Sequence, residues 1–103
     1  MAISNTLLTT SPANIFISSG NTAVSTMYFC NNSGSPVTIN VYALPNGSTV
    51  ADANVQIYNG VQIASGDTFV VDMEKLVLAN GDKLSANASV GSSVTATLSW
   101  VRI

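Results

Sequence analysis

Hydrophobic and polar residues alternate along this chain in short stretches, with turn-forming residues between them. The clearest stretch is 37–44. Val37, Ile39, Val41 and Ala43 fall on one face, and Thr38, Asn40, Tyr42 and Leu44 on the other. A period of two marks a β-strand with one face on a core. Residues 14–18 and 23–30 are earlier strand candidates, followed by the turn cluster Asn31-Asn32-Ser33-Gly34-Ser35-Pro36. Pro45-Asn46-Gly47-Ser48 closes the 37–44 strand. Residues 54–58 and 60–64 are split by Asn59-Gly60, which fits either a type I′ hairpin turn or a bulge in one long strand.

Residues 67–73 put Phe69, Val71 and Met73 on one face. Stretches 75–79 and 82–89 follow, divided by Asn80-Gly81. The final stretch, 94–103, sets Val94, Ala96, Leu98 and Trp100 against Thr95, Thr97, Ser99 and Val101. Helix signals are poor. The one candidate helical turn, Val71–Leu76, is too short to stand alone. The pattern predicts an all-β fold: a single antiparallel β-sandwich or jelly-roll-like small barrel of about 7–9 short strands. Residues 14–103 form the sandwich, with residues 1–13 as an N-terminal arm or first edge strand. The expected core includes Val37, Ile39, Val41, Phe69, Val71, Leu98 and Trp100.

A weak internal repeat lies inside this pattern. Val61-Gln62-Ile63-Ala64-Ser65-Gly66-Asp67-Thr68-Phe69 matches Leu76-Val77-Leu78-Ala79-Asn80-Gly81-Asp82-Lys83-Leu84 in its apolar positions and in Ala, Gly and Asp. The expected unit is strand, tight turn with glycine at positive φ, then strand, with the aspartate bonding turn backbone. A calcium site on Asp67 and Asp82 is the sharper alternative, but calcium takes six to eight oxygens, usually from closely spaced carboxylates, and this spacing does not supply them.

Composition then narrows the functions. Only 8 % of residues are charged, against 47 % hydrophobic, and there is no histidine. Ser, Thr and Asn make up 35 of the 103 residues. The net charge is −2, and the three cations Lys75, Lys83 and Arg102 are scattered. Binding nucleic acid or an anionic membrane requires clustered basic residues, so neither partner is expected. The start, Met1–Leu8, has no basic residue and no long apolar core, so it is not read as a secretory signal. No apolar run reaches the roughly 20 residues of a membrane span. Synthesis and folding in a cytoplasm are expected. The single cysteine, Cys30, allows no intrachain disulfide and reads as a small buried hydrophobe. Three sequons, at Asn31, Asn46 and Asn87, read as turn and strand residues.

Chemistry is scarce. Without histidine, Ser-His-Asp and Cys-His arrangements are impossible within one chain. One cysteine and scattered acids do not make a metal shell. Asp72 and Glu74 share a strand face at i and i+2, yet beside Lys75 they read as a solvated charge cluster. Ser89-Val90-Gly91-Ser92-Ser93 lacks the lysine of a phosphate loop and is not followed by a helix. The aromatics, Trp100 above all, fit core and interface packing, with a glycan-binding surface as the alternative. No catalytic residue, cofactor or metal is expected.

Several segments carry a resemblance. They are Asn5-Thr6-Leu7-Leu8 with Pro12-Ala13-Asn14-Ile15; Tyr28-Phe29-Cys30-Asn31-Asn32-Ser33-Gly34 with Val37-Thr38-Ile39; Leu76–Ala86; and the closing Val94–Ile103. In this order, over nearly the whole chain, the sequence resembles small virion structural proteins of tailed bacteriophages, especially cyanophages. The resemblance implies no enzyme activity. With the size and composition, it points to a capsid decoration or cement protein, with a neck, tail or baseplate component as the alternative. A carbohydrate-binding or fibre-associated β-module is a further alternative. Expected partners are the major capsid protein or other virion proteins, and copies of itself, with a trimer favoured. Few charges suit such a role, because interface centres are depleted in Lys, Glu and Asp. Only Lys75 and Lys83 could guard a sheet edge. Candidate interface residues are Ile3, Leu7, Leu8 and Arg102.

Overall fold

The structure, a computed structural model, describes residues 2–47 and 56–103, and the side chains of all of these except residues 2 and 72–75. Among the described residues eight strands form: β1 (Ala2–Leu7), β2 (Ala13–Ile17), β3 (Thr22–Asn31), β4 (Val37–Leu44), β5 (Gln56–Ile63), β6 (Thr68–Leu78), β7 (Lys83–Ala88) and β8 (Val94–Arg102). They make two four-stranded sheets, ordered β1-β8-β3-β6 and β2-β7-β4-β5. All pairings are antiparallel. The first strand pairs with the eighth, the second with the seventh, the third with the sixth and the fourth with the fifth. Strands 1–4 and 5–8 thus behave as the two arms of one long hairpin wound around a shared core. That winding is the jelly roll, the form the expected antiparallel sandwich takes here.

The inward positions fill the core. Met27, Phe29, Ile39, Leu84 and Leu98 are fully buried, as are Val37, Val41 and Val94. Each such side chain contributes about 1.5–3 kcal/mol through burial. Val71 is also buried. Phe69 and Trp100, expected in the core, are half-buried and pack against it from opposite sides. Met73 lies outside the described side chains.

Two local expectations change, and one open alternative is resolved. The candidate helical turn Val71–Leu76 is extended, inside the continuous strand β6. The ladder to β3 holds Val71 and Asp72 before residues 73–75 and Leu76 after them, and these flanks outweigh a weak local signal. The register with β3 slips at Ser25, a bulge whose hydroxyl donates to Ser99 O at 3.2 Å. Asn59-Gly60 proves to be a bulge within β5. Two β5 residues face Asn40 alone, Gly60 takes φ 67°, and its N–H donates to Asn40 Oδ1 at 2.8 Å. Lys83 cannot guard an edge, because β7 lies between β2 and β4. Lys75 belongs to edge strand β6, but its side chain lies outside the described set, as do residues 48–55 with Ser48 of the expected turn.

The internal repeat is two equivalent arches. Asp67 N–H donates to Ala64 O at 3.0 Å, and Asp82 N–H to Ala79 O at 3.1 Å. Gly66 (φ 74°) and Gly81 (φ 87°) sit at the third position, as type II turns require. Each arch clasps the end of another strand by a reciprocal backbone pair. Gly66 N–H donates to Asn31 O and Asn31 N–H to Asp67 O, at 3.0 and 2.9 Å. Gly81 N–H donates to Ser18 O and Ser18 N–H to Asp82 O, at 2.9 and 2.8 Å. A Cβ on Gly81 would stand 2.7 Å from the side-chain amide of exposed Asn46, which would have to shift, so the positive φ is the stronger demand for glycine here. Asn31 is fully buried and fully bonded: its amide donates to Ser35 O and Ile63 O and accepts from Ser33 N–H and Oγ–H.

Candidate functional site

The strand registers fix what each sheet shows to the outside. On β1-β8-β3-β6 one outward row reads Asn5, Thr97, Tyr28, Val70, and the next Leu7, Thr95, Cys30, Thr68. A third joins Val101, the buried Ala23 and Val77, and a fourth runs Ile3, Ser99, Thr26, Asp72, of which the Asp72 side chain lies outside the described set. Ile3 is 70 % exposed, Val77 57 % and Leu7 53 %, with Tyr28 and Val70 also exposed. None of the described side chains in these rows is charged.

The expected interface residues divide here. Ile3 and Leu7 project from this face, and Arg102 is exposed at the end of β8. Leu8 does not belong with them. It is 1 % exposed and joins the core, because neighbours along an extended chain point to opposite sides. Its N–H donates to Val94 O at 2.8 Å and its carbonyl accepts from Ser92 N–H at 3.1 Å, so the ladder runs past Leu7. The first residues thus form an edge strand against β8, the second of the two forms expected. Cys30 is half-buried on the same outer face, with its thiol 3.4 Å from Asn32 Oδ1, and is not the buried hydrophobe its type suggested.

The opposite outer face uses its polar groups on itself. Ser85 Oγ–H donates to Asn14 Oδ1 at 2.8 Å. Asn40 Nδ2 donates to Asn87 Oδ1 at 3.2 Å, Tyr42 OH reaches the same oxygen at 3.5 Å, and Asn87 Nδ2 donates to Thr10 O at 3.3 Å. Asn40 also accepts from the bulge at Gly60. The Asn31 and Asn87 sequons are thereby explained as a turn hub and a strand ladder.

Where the sheets meet at their edges, the two seams differ. At β5/β6, Tyr58 meets Phe69 edge-on at 5.6 Å, and Phe69 stacks with Phe29 at 6.4 Å. At β1/β2 an open groove of about 460 Å³ remains, lined by Ser4, Asn5, Thr6, Asn14, Ile15, Phe16, Ile17 and Trp100. Phe16 and Trp100 lie 5.2 Å apart with ring planes at 50°. Sequence reasoning assigned Trp100 to the core and did not single out Ser4 or Thr6. The signal was the run Ser4, Thr6, Leu8, an inward face whose first two members are polar.

The acidic candidates act on backbone. Asp82 accepts from Asn46 N–H and Ala79 N–H through its two oxygens, both at 2.9 Å, and Asp67 accepts from Thr68 N–H at 2.9 Å. Among the described residues no group of three metal-ligating side chains comes together. The side chains of Asp72 and Glu74 lie outside the described set. No protein-family model matches the chain, and no curated protein is similar to it.

Proposed function

We propose that this chain is a non-enzymatic structural subunit that docks through the outer face of β1-β8-β3-β6. The observation that carries this reading is a difference of degree between the two outer faces: one bonds most of its amides internally and its sheet exposes Ile17 and Ile57, the other exposes Ile3, Leu7, Tyr28, Val70 and Val77 with no described charge. Apolar surface left in water is costly, and covering it releases roughly 25 cal/mol per Å². Contiguous exposed apolar surface marks interaction sites. The sequence resemblance supplies the assembly: a tailed-phage virion, with the face seated on the major capsid protein as a decoration or cement subunit, and copies related by symmetry, a trimer favoured. The jelly roll suits this role but also serves others, so topology adds little to the choice.

The test is incorporation. Purified particles should contain the chain in stoichiometric proportion to the major capsid protein by quantitative mass spectrometry. A small fraction of that amount would move it to the neck, tail or baseplate. Absence from particles would overturn the reading. The Val70→Arg variant should fold and yet lose incorporation, because docking would bury an unpaired charge, at a cost on the order of 3 kcal/mol, a hundredfold in affinity. Undiminished incorporation of that variant would show that another surface docks.

A further inference from the structure

The β1/β2 seam breaks the pattern that governs the rest of the interior. Inward positions on β3, β4, β7 and β8 are filled almost throughout by Val, Ile, Leu, Met, Phe and Ala. On β1 the inward positions before Leu8 whose side chains are described are Ser4 and Thr6. A strand that merely closed the sandwich would carry apolar residues there, as the β5/β6 seam does with Tyr58 and Phe69. Departures from local rules concentrate at functional sites.

We propose that this groove binds a neutral saccharide. Its volume, about 460 Å³, lies within the roughly 300–1,000 Å³ range of small-molecule sites. Trp100, half-buried and packed against the buried Phe16, gives it an aromatic surface, the kind on which the C–H face of a sugar ring packs. Trp100 Nε1–H donates to Ser4 Oγ at 3.3 Å, which fixes the indole and leaves the Ser4 hydroxyl proton available to a ligand. Thr6 makes no side-chain hydrogen bond among the described residues. Hydroxyls beside an aromatic ring match a ligand that alternates O–H groups with apolar ring faces. None of the eight lining residues is charged, so an anionic or cationic sugar would enter without a counter-charge. The inward hydroxyls stand where the apolar side chains of an added peptide strand would insert, which disfavours a peptide as occupant.

The chain has a single tryptophan, so its fluorescence reports on this groove alone. The full-length protein is titrated with tetrasaccharides of glucose, galactose, mannose and N-acetylglucosamine, and with a uronate tetrasaccharide, each up to about 10 mM, the weak end of measurable affinity. The expected result is a saturable change in Trp100 emission with at least one neutral probe and none with the uronate. Amide and side-chain NMR shifts in the unaltered protein should map to Ser4, Thr6 and Trp100. Thr6→Val should weaken binding roughly tenfold, the worth of one or two hydrogen bonds, without lowering the unfolding midpoint. Silence across the neutral panel, binding of the uronate alone, shifts that map elsewhere, or unchanged affinity in Thr6→Val would each overturn the proposal. So would binding of an extended apolar peptide in place of sugars. Val70→Arg lies on the outer face and should leave the titration unchanged, so failure here and failure of the docking proposal are told apart.

Discussion

On the outer face of β2-β7-β4-β5, Asn14 holds Ser85, Asn40 holds Asn87, and Asn87 holds Thr10. On the outer face of β1-β8-β3-β6, threonines alternate with Val70, Val77, Tyr28, Ile3 and Leu7, and these apolar side chains stand in solvent. Few of the described side chains on either face are charged, so among them charge does not distinguish the faces. What differs is where the hydrogen-bonding capacity has gone. A face whose amides already bond to each other offers a partner little, and displacing those bonds would cost what a new contact returned. A face of β-branched and apolar residues offers a partner burial at no such cost. Low charge is therefore two different surface strategies in one molecule, one self-contained and one left open.

That comparison can be broken by mutation. Asn87→Ala removes the acceptor for Asn40 and Tyr42 and the donor to Thr10 O, and should lower unfolding free energy by about 2 kcal/mol. A shifted urea midpoint at constant m-value would register it, with docking unaffected. Asn40→Ala strips the bulge N–H at Gly60 of its acceptor and should cost about 1–2 kcal/mol in the same assay. On the other face Tyr28→Ser should change stability by no more than about 0.5 kcal/mol while reducing partner affinity. A large stability loss from Tyr28→Ser would mean that this face holds the monomer together, and the distinction between the faces would fail.

The sequence made some of this legible and hid the rest for physical reasons. Strands β4 and β8 are interior to their sheets and carry unbroken alternation, so their core faces, from Val37 to Val41 and from Val94 to Leu98, could be read directly. The Ala-x-Gly-Asp repeat exposed two turns of one kind. It could not show that each clasps a distant strand end, because Ser18 and Asn31 share no local pattern with it. The charged run Asp72–Lys75 disguised the continuity of β6, since strand propensity there is weak and the ladder to β3 holds the strand at Asp72 and Leu76, on either side of residues 73–75. Leu7 and Leu8 look alike in composition and differ only in parity, which becomes visible once Ser4 and Thr6 are placed on the inward side. The groove was hidden for the same reason: two hydroxyls at inward positions made the first residues look like an arm rather than one wall of a cleft.

The place of β8 has a consequence for how the chain comes off the ribosome. It lies between β1 and β3, and its ladder joins Ala2 to Trp100 and Thr22 to Arg102. A nascent chain that stops before Val94 holds β1 and β3 with nothing between them. The exposed face, the groove floor at Trp100 and the clasp on Leu8 all await the same nine residues. Pairings this distant in sequence form slowly, because loop closure precedes any gain from contact. A chain lacking β8 would therefore form neither that outer face nor the groove beside Trp100.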